Sequence, residues 1–229
     1  GNIFINVSDS LFLEGVSNSN TPTRILSITE GTGSTGSIVI SGNNATVELD
    51  NQALIETNTF GQGAAGDISL DVRQVTIAGG AGIQTSGNAL NSSGNIRINA
   101  TESISLDGQF NFSTRSRILN QNGDVGGTGG ISIDTGNLIL TNTGRIFSDT
   151  FFSPTPSESP KVSIHADDSV TLSEASEIRV INFASDVGGL ELSAKTVSLD
   201  NLSAISTFTF GEGRGGNLSV IADDLNLAG

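Results

Sequence analysis

The sequence of 229 residues has no cysteine, methionine, tryptophan or tyrosine, and it has a single histidine. Without cysteine there are no disulfides and no thiolate metal sites, so stability must come from packing and hydrogen bonding alone. Cations are scarce as well: 10 lysines and arginines stand against 24 carboxylates, a formal net charge of −14. Nucleic acid and anionic membrane surfaces are bound by clustered Lys and Arg that displace counterions, so neither nucleic acid nor membrane insertion is expected. No apolar run approaches the length of a membrane span, and no signal-peptide pattern is visible. The chain begins without Met, and it reads as a piece of a longer precursor.

What is abundant points one way. There are 29 glycines, many Ser, Thr and Asn, and an aliphatic set of Ile, Leu and Val. That is the vocabulary of strands and tight turns. The phrase G-x-[IL]-x-[IVL] begins near residues 1, 36, 66, 94, 129, 188 and 216, with Pro160 in the glycine place of "PKVSI". About eight residues later each unit carries a second alternating pair, such as Leu11/Leu13, Val47/Leu49 and Val75/Ile77. A third short segment centres on Ile25, Ile55, Ile83, Ile118, Ile146, Ile178 and Ile205. The second pair and the third Ile keep one spacing, as from Leu49 to Ile55, except in the first and fourth units. Those two carry an insertion at the same place, at about 14–24 and 107–117.

Alternation with period two means strands with one face buried. A unit of three short strands cannot close a core by itself, but stacked units bury all the inward faces together. The chain is therefore expected to be all-β: one domain over 1–229, a right-handed parallel β-helix (solenoid) of about seven to eight coils with three short strands each. Coils start near 1, 36, 66, 94, 129, 160, 188 and 216.

Two stretches, "FGQGAAG" at 60–66 and "FGEGRGG" at 210–216, have the G-x-G-x-x-G spacing of a dinucleotide-binding loop. That fingerprint needs a following helix whose amino terminus faces the pyrophosphate. Here both stretches run into alternating strands, "DISLDV" and "NLSVIA". The glycines are read as a corner between coils, and no cofactor is expected.

The longer phrase T-F-G-x-G-x-x-G-[DN]-[IL]-x-[LV], at Thr59 to Leu70 and Thr209 to Val220, resembles the repeats of filamentous-haemagglutinin-like exoproteins exported by two-partner secretion, the cyanobacterial kind especially. The resemblance covers nearly the whole chain as repeats, though only these two copies match closely. It implies a secreted or cell-surface right-handed β-helix of Gram-negative type, often an adhesin. The family's amino-terminal secretion domain is not visible.

Several side chains stand out against this frame. Phe110, Phe112, Arg115 and Arg117 in the second insertion form an aromatic and basic spot on an acidic body, a candidate ligand-binding loop, although "QFNFST" also alternates like an added strand. Phe151, Phe183 and Phe210 occupy one repeat position in consecutive units and are expected to stack as a buried corner; Phe60 belongs to the same set. Lys195 should sit between Asp167 and Asp223, and His165 should point outward between Asp134 and Ser193. A nucleophilic triad would need those groups in a concave pocket, so no catalytic residue is assigned. "NQNGDVGG" has too few carboxylates for a calcium loop, so no metal site is assigned either. Phe4 and Phe12 point outward in the first coil.

The expected function is a non-enzymatic structural shaft of a secreted or cell-surface adhesin or filament, with an extracellular glycan or surface ligand as candidate side partner. Uncapped coils also invite end-to-end self-association. The alternatives are a carbohydrate-binding or polysaccharide-degrading β-helix, which needs clustered acids that this chain scatters, and ice binding, hinted at by Thr57, Thr59, Thr85, Thr207 and Thr209.

Overall fold

The computed structural model describes residues 1–16, 22–87, 92–108, 115–122, 129–150, 161–183, 188–210 and 213–229. Among them every element is a strand. The first coil runs β1 (Ile3–Asn6), β2 (Ser10–Glu14) and β3 (Arg24–Thr29). Each later coil has one long and one short strand: β4 (Ile38–Asp50) and β5 (Leu54–Thr59), β6 (Ile68–Ile77) and β7 (Gly82–Gly87), β8 (Ile96–Asp107) and β9 (Arg117–Asn122). The pattern continues with β10 (Ile131–Thr141) and β11 (Arg145–Thr150), β12 (Val162–Leu172) and β13 (Glu177–Asn182), β14 (Leu190–Leu199) and β15 (Ala204–Thr209), and ends at β16 (Leu218–Leu227).

The long strands stack as one sheet in the order β1-β4-β6-β8-β10-β12-β14-β16, with β2 also on β4. The short strands stack as a second sheet, β3-β5-β7-β9-β11-β13-β15. All pairings are parallel, for example β4 with β6 and β5 with β7. Parallel neighbours about thirty residues apart are a β-solenoid, as the repeat predicts. Seven strands in the second sheet make six turns between them, slightly fewer than the coil count expected, because the outermost segments are partial coils.

The expectation of three separate strands per coil is corrected from the second coil onward. The first two segments fuse into one strand of 10 to 13 residues. A bulge, not a turn, separates them: the pairing slips between Val72 and Gln74, and again between Thr135 and Asn137. A bulge bends a strand and lets both halves keep their ladders, so one strand rounds a corner and still turns two sets of side chains inward.

The core follows the sequence columns. Ile55 pairs with Ile83, Ile83 with Ile118 and Ile118 with Ile146, and all four are fully buried. Ile68, Ile96 and Ile131 stack in the first segment, and Val75, Ile104 and Leu138 in the second. Each such side chain contributes roughly 1.5–3 kcal/mol of burial.

Two corners explain residues that are not hydrophobic. Gly61, Gly63 and Gly66 lie directly over Gly31, Gly33 and Gly36 of the preceding coil, and a Cβ on any of the three would run into that backbone. Phe60 N donates to Thr29 O and Gln62 N to Gly31 O, both at 2.9 Å, so the ladder continues around this corner. The glycines serve close approach of backbone to backbone, and the stretch leads into β6, not a helix. At the corner after β4, β6, β10, β12 and β14 two successive residues take positive φ: Asn51 and Gln52, Gly79 and Gly80, Asn142 and Thr143, Glu174 and Ala175, Asn201 and Leu202. Hydrogen bonds from Gln52 N to Gly79 O (3.0 Å), Thr143 N to Glu174 O (2.9 Å) and Ala175 N to Asn201 O (2.8 Å) hold these corners together down the stack.

Inside the second sheet one inward column is polar except at Val180. Thr57 Oγ1 donates to Gly66 O at 2.6 Å, Thr85 Oγ1 to Gly94 O at 3.0 Å and Thr207 Oγ1 to Gly216 O at 3.0 Å. Each hydroxyl satisfies the carbonyl of the glycine that opens the next coil. This overturns the threonine array as an ice-binding face: Thr57 and Thr85 are completely buried and Thr59 nearly so.

Two substitutions test these corners by thermal or denaturant unfolding. A left-handed alanine costs roughly 1–2 kcal/mol and glycine's extra unfolded-state freedom about 0.5–1, so Ala175→Gly should stabilise by about 0.5–1 kcal/mol. Thr57→Val leaves the part-buried Gly66 carbonyl without its hydroxyl donor and should destabilise by about 1–3 kcal/mol.

Candidate functional site

The outward face of a solenoid sheet is normally wet, yet the second sheet buries part of its own. On β9, β11 and β13 three outward positions per strand face the same way. In the first column Arg117, Arg145 and Glu177 align; in the second, Leu119, Phe147 and Arg179; in the third, Gln121, Asp149 and Ile181. Phe147 is only 6% exposed and Asp149 8%, although both point away from the core.

Phe147 is covered by cations. The Arg179 guanidinium carbon lies 3.8 Å above its ring centroid, and that of Arg145 lies 4.9 Å away. Arginine suits this role because its planar, weakly hydrated group stacks on a ring and keeps its edge donors. Arg145 reaches Glu177, and Arg179 reaches Asp149, each at 3.4 Å. Below them, Arg117 donates to Gln84 Oε1 from Nε (3.2 Å) and Nη2 (2.8 Å). Gln84 in turn donates to Glu56 Oε1 at 2.9 Å, so a polar line climbs three coils. Burial lowers the Arg117 pKa, with Glu56 opposing the shift.

A cavity of about 270 Å³ opens here, walled by Arg115, Arg117, Arg145 and Arg179 around Leu119, Phe147, Gln121 and Asp149. Four of the chain's 10 cations thus meet at one place, against Asp149 in the wall and Glu177 at the edge, a local formal charge of +2 on a body of −14. Nε of Arg115, Arg145 and Arg179 is buried, with no acceptor among the described residues. A buried donor left unmet costs about 1–3 kcal/mol.

Of the residues singled out in the sequence, Arg115 and Arg117 line this cavity, while Phe110 and Phe112 lie outside the described residues. Arg145, Phe147, Asp149 and Arg179 were missed by the sequence reading. They could have been found by writing the outward residues of successive units in columns, where an aromatic beside arginines interrupts a polar face.

Phe183 and Phe210 do stack, with ring centroids 4.8 Å apart and planes 12° from parallel. The expected burial of that corner is corrected: Phe210 is 67% exposed and Phe60 59%. At Phe60 the coils meet through glycine backbone, which leaves that ring outside the close contact. Phe151 lies outside the described residues, as does most of the candidate calcium loop. Phe4 and Phe12 are exposed as anticipated.

His165 pairs in register with Asp134 and Ser193. Its Nδ1 is 2.9 Å from Ser193 Oγ and its Nε2 is 3.4 Å from Asp167. The three residue types of a triad therefore touch, but on the exposed run of a strand and not in a cleft. The Lys195 ladder is corrected. Its direct partner is Asp168 at 2.7 Å, not Asp167 or Asp223, because pairing between β12 and β14 slips between His165 and Ser169. That hydrogen bond and charge raise the Lys195 pKa, with smaller contributions from Asp167 and Asp223. Among the described residues no group of three or more His, Cys, Asp or Glu is placed to hold a metal. No helix among them is long and apolar enough to cross a membrane.

No family model, curated protein or solved structure matches the chain. The class that can be stated is the parallel β-solenoid.

Asp149 provides a test of this face. Burial pushes its carboxyl pKa above the ordinary 3.8, and Arg179 only partly opposes this. The folded state therefore binds the proton more tightly than the unfolded state. Its contribution is present below the ordinary value and lost as pH rises through the raised one. Denaturant midpoints across that window should fall more steeply with pH in the wild type than in Asp149→Asn; equal slopes would contradict the burial argument.

Proposed function

We propose that the chain is a non-enzymatic structural shaft of a secreted or cell-surface adhesin or filament, related to the filamentous-haemagglutinin-like exoproteins of two-partner secretion. The observation that carries this reading is the unbroken parallel register from β3 to β15, which makes a stiff spacer about 29 Å long from six steps of about 4.8 Å. Acidic side chains are dispersed over the coils, and the His165 cluster is flat and exposed, which supports a passive role. A chain without cysteine also suits threading through an outer-membrane pore. End-to-end association through the singly paired outer strands belongs to the same proposal.

A second reading, a carbohydrate-binding β-helix, is favoured by the exposed Phe183–Phe210 stack, since exposed rings can face sugars. The enzymatic form of that reading needs paired carboxylates in a groove, and the arginine-lined cavity has a single one, Asp149.

Fractionation of the native cells separates the readings. The protein should appear in the medium or become accessible to protease on intact cells, and confinement to the cytoplasm would sink the shaft proposal. On the purified chain, polysaccharide digestion should yield no new reducing ends; cleavage abolished by one acid substitution would replace the shaft with an enzyme. Sedimentation velocity over a range of concentrations should show growing species, and a single monomer throughout would remove the end-to-end association.

A further inference from the structure

The arginine-walled cavity between β9, β11 and β13 has the makings of a ligand site. Its lining combines four guanidinium groups with the apolar surfaces of Leu119 and Phe147. The two ion pairs at its edge, Arg145 to Glu177 and Arg179 to Asp149, are 3.4 Å long, well beyond the roughly 2.7–2.9 Å of a strong charge-assisted hydrogen bond. The Nε atoms of Arg115, Arg145 and Arg179 are enclosed, as are Asp149 Oδ1 and Glu177 Oε2, but the Arg145 and Arg179 side chains stay 27% and 23% exposed, and it is these exposed parts that can meet a ligand in the cavity. Arg117 is oriented by Gln84, which fixes one side of the site.

Size and charge narrow the ligand. At about 270 Å³ the cavity lies just below the roughly 300–1,000 Å³ of ordinary small-molecule pockets, enough for one sugar-sized unit and not for a length of chain. Planar guanidinium forks match a carboxylate two bonds at a time. The Asp149 carboxyl in the wall opposes a dianion more than a monoanion, and Phe147 and Leu119 offer contact to a carbon skeleton that a bare inorganic anion does not use.

We propose that this cavity binds the carboxylate of a one-sugar-sized hydroxy acid, a hexuronate unit, through the converging arginines Arg115, Arg117, Arg145 and Arg179. The unit could come from a free sugar acid or from the end of an acidic polysaccharide, and the carboxylate chemistry is common to both. The proposal rests on the second, carbohydrate-binding reading; its failure would leave the shaft untouched, because cellular fractionation reads that separately.

Calorimetric titration of the 229-residue chain at low salt tests it. Galacturonate should bind saturably, galactose should not, and inorganic sulfate should bind more weakly than galacturonate. Arg115→Gln and Arg145→Lys should each weaken galacturonate by about tenfold or more, the second because it keeps charge and loses the fork. A linear trimer of galacturonate binding as well as the monomer points to a polysaccharide end; monomer binding without the trimer points to a free acid; both uphold the site. Should either variant fail to fold, the arginine Nε–H resonances of the wild type serve instead, and some must shift on adding galacturonate. No saturable binding, equal binding of galactose, sulfate binding at least as tightly, unchanged affinity in both folded variants, or unmoved Nε–H resonances would each overturn the proposal.

Discussion

Everything in this molecule depends on one constraint, that each coil lies in register on the one before it. In a parallel ladder the backbone hydrogen bonds run from coil to coil, so a strand's partners are fixed by the length of chain that separates them. A slip of one residue would exchange the inward and outward faces of that strand. The fully buried column of Ile55, Ile83, Ile118 and Ile146 is the side-chain expression of that register. The corners are its backbone expression, with left-handed pairs and glycines set at the same height in successive coils. Strain at Thr143 or Leu202 persists because neighbouring corners hydrogen-bond to each other.

Much of the fold was legible in the sequence because spacing and register are the same quantity. The interval from Leu49 to Ile55 and its repeats mark out the second sheet. Fusion of the first two segments into strands such as β6 and β8 was not legible, because a bulge leaves the inward positions intact and changes only the backbone between them. Polar residues misled more than apolar ones. Thr57 and Thr85 look like surface threonines in a polar chain, yet their hydroxyls close the corner carbonyls from inside.

The outward face was the hardest part to read. Period-two alternation divides residues into inside and outside, and it offers no way to say that some outside positions are covered. Arg115 and Arg117 drew attention as charges out of keeping with the acidic body, but their partners Arg145 and Arg179 lie in the next two coils and become neighbours only through the register. Burial of Phe147 beneath two guanidinium groups makes this the most individual area of an otherwise repetitive surface. The opposite case is Phe210, whose repeat position suggested a buried corner and whose ring is largely exposed.

Nearly all of the strand pairing is between adjacent turns, as the order of the two sheets records, and this has a genetic consequence. Copying one block of about thirty codons adds a whole layer whose upper and lower surfaces already fit their neighbours, so length can be gained or lost without inventing a new interior. Loss of a single codon within a strand has no such escape, because every later side chain in that strand would change sides.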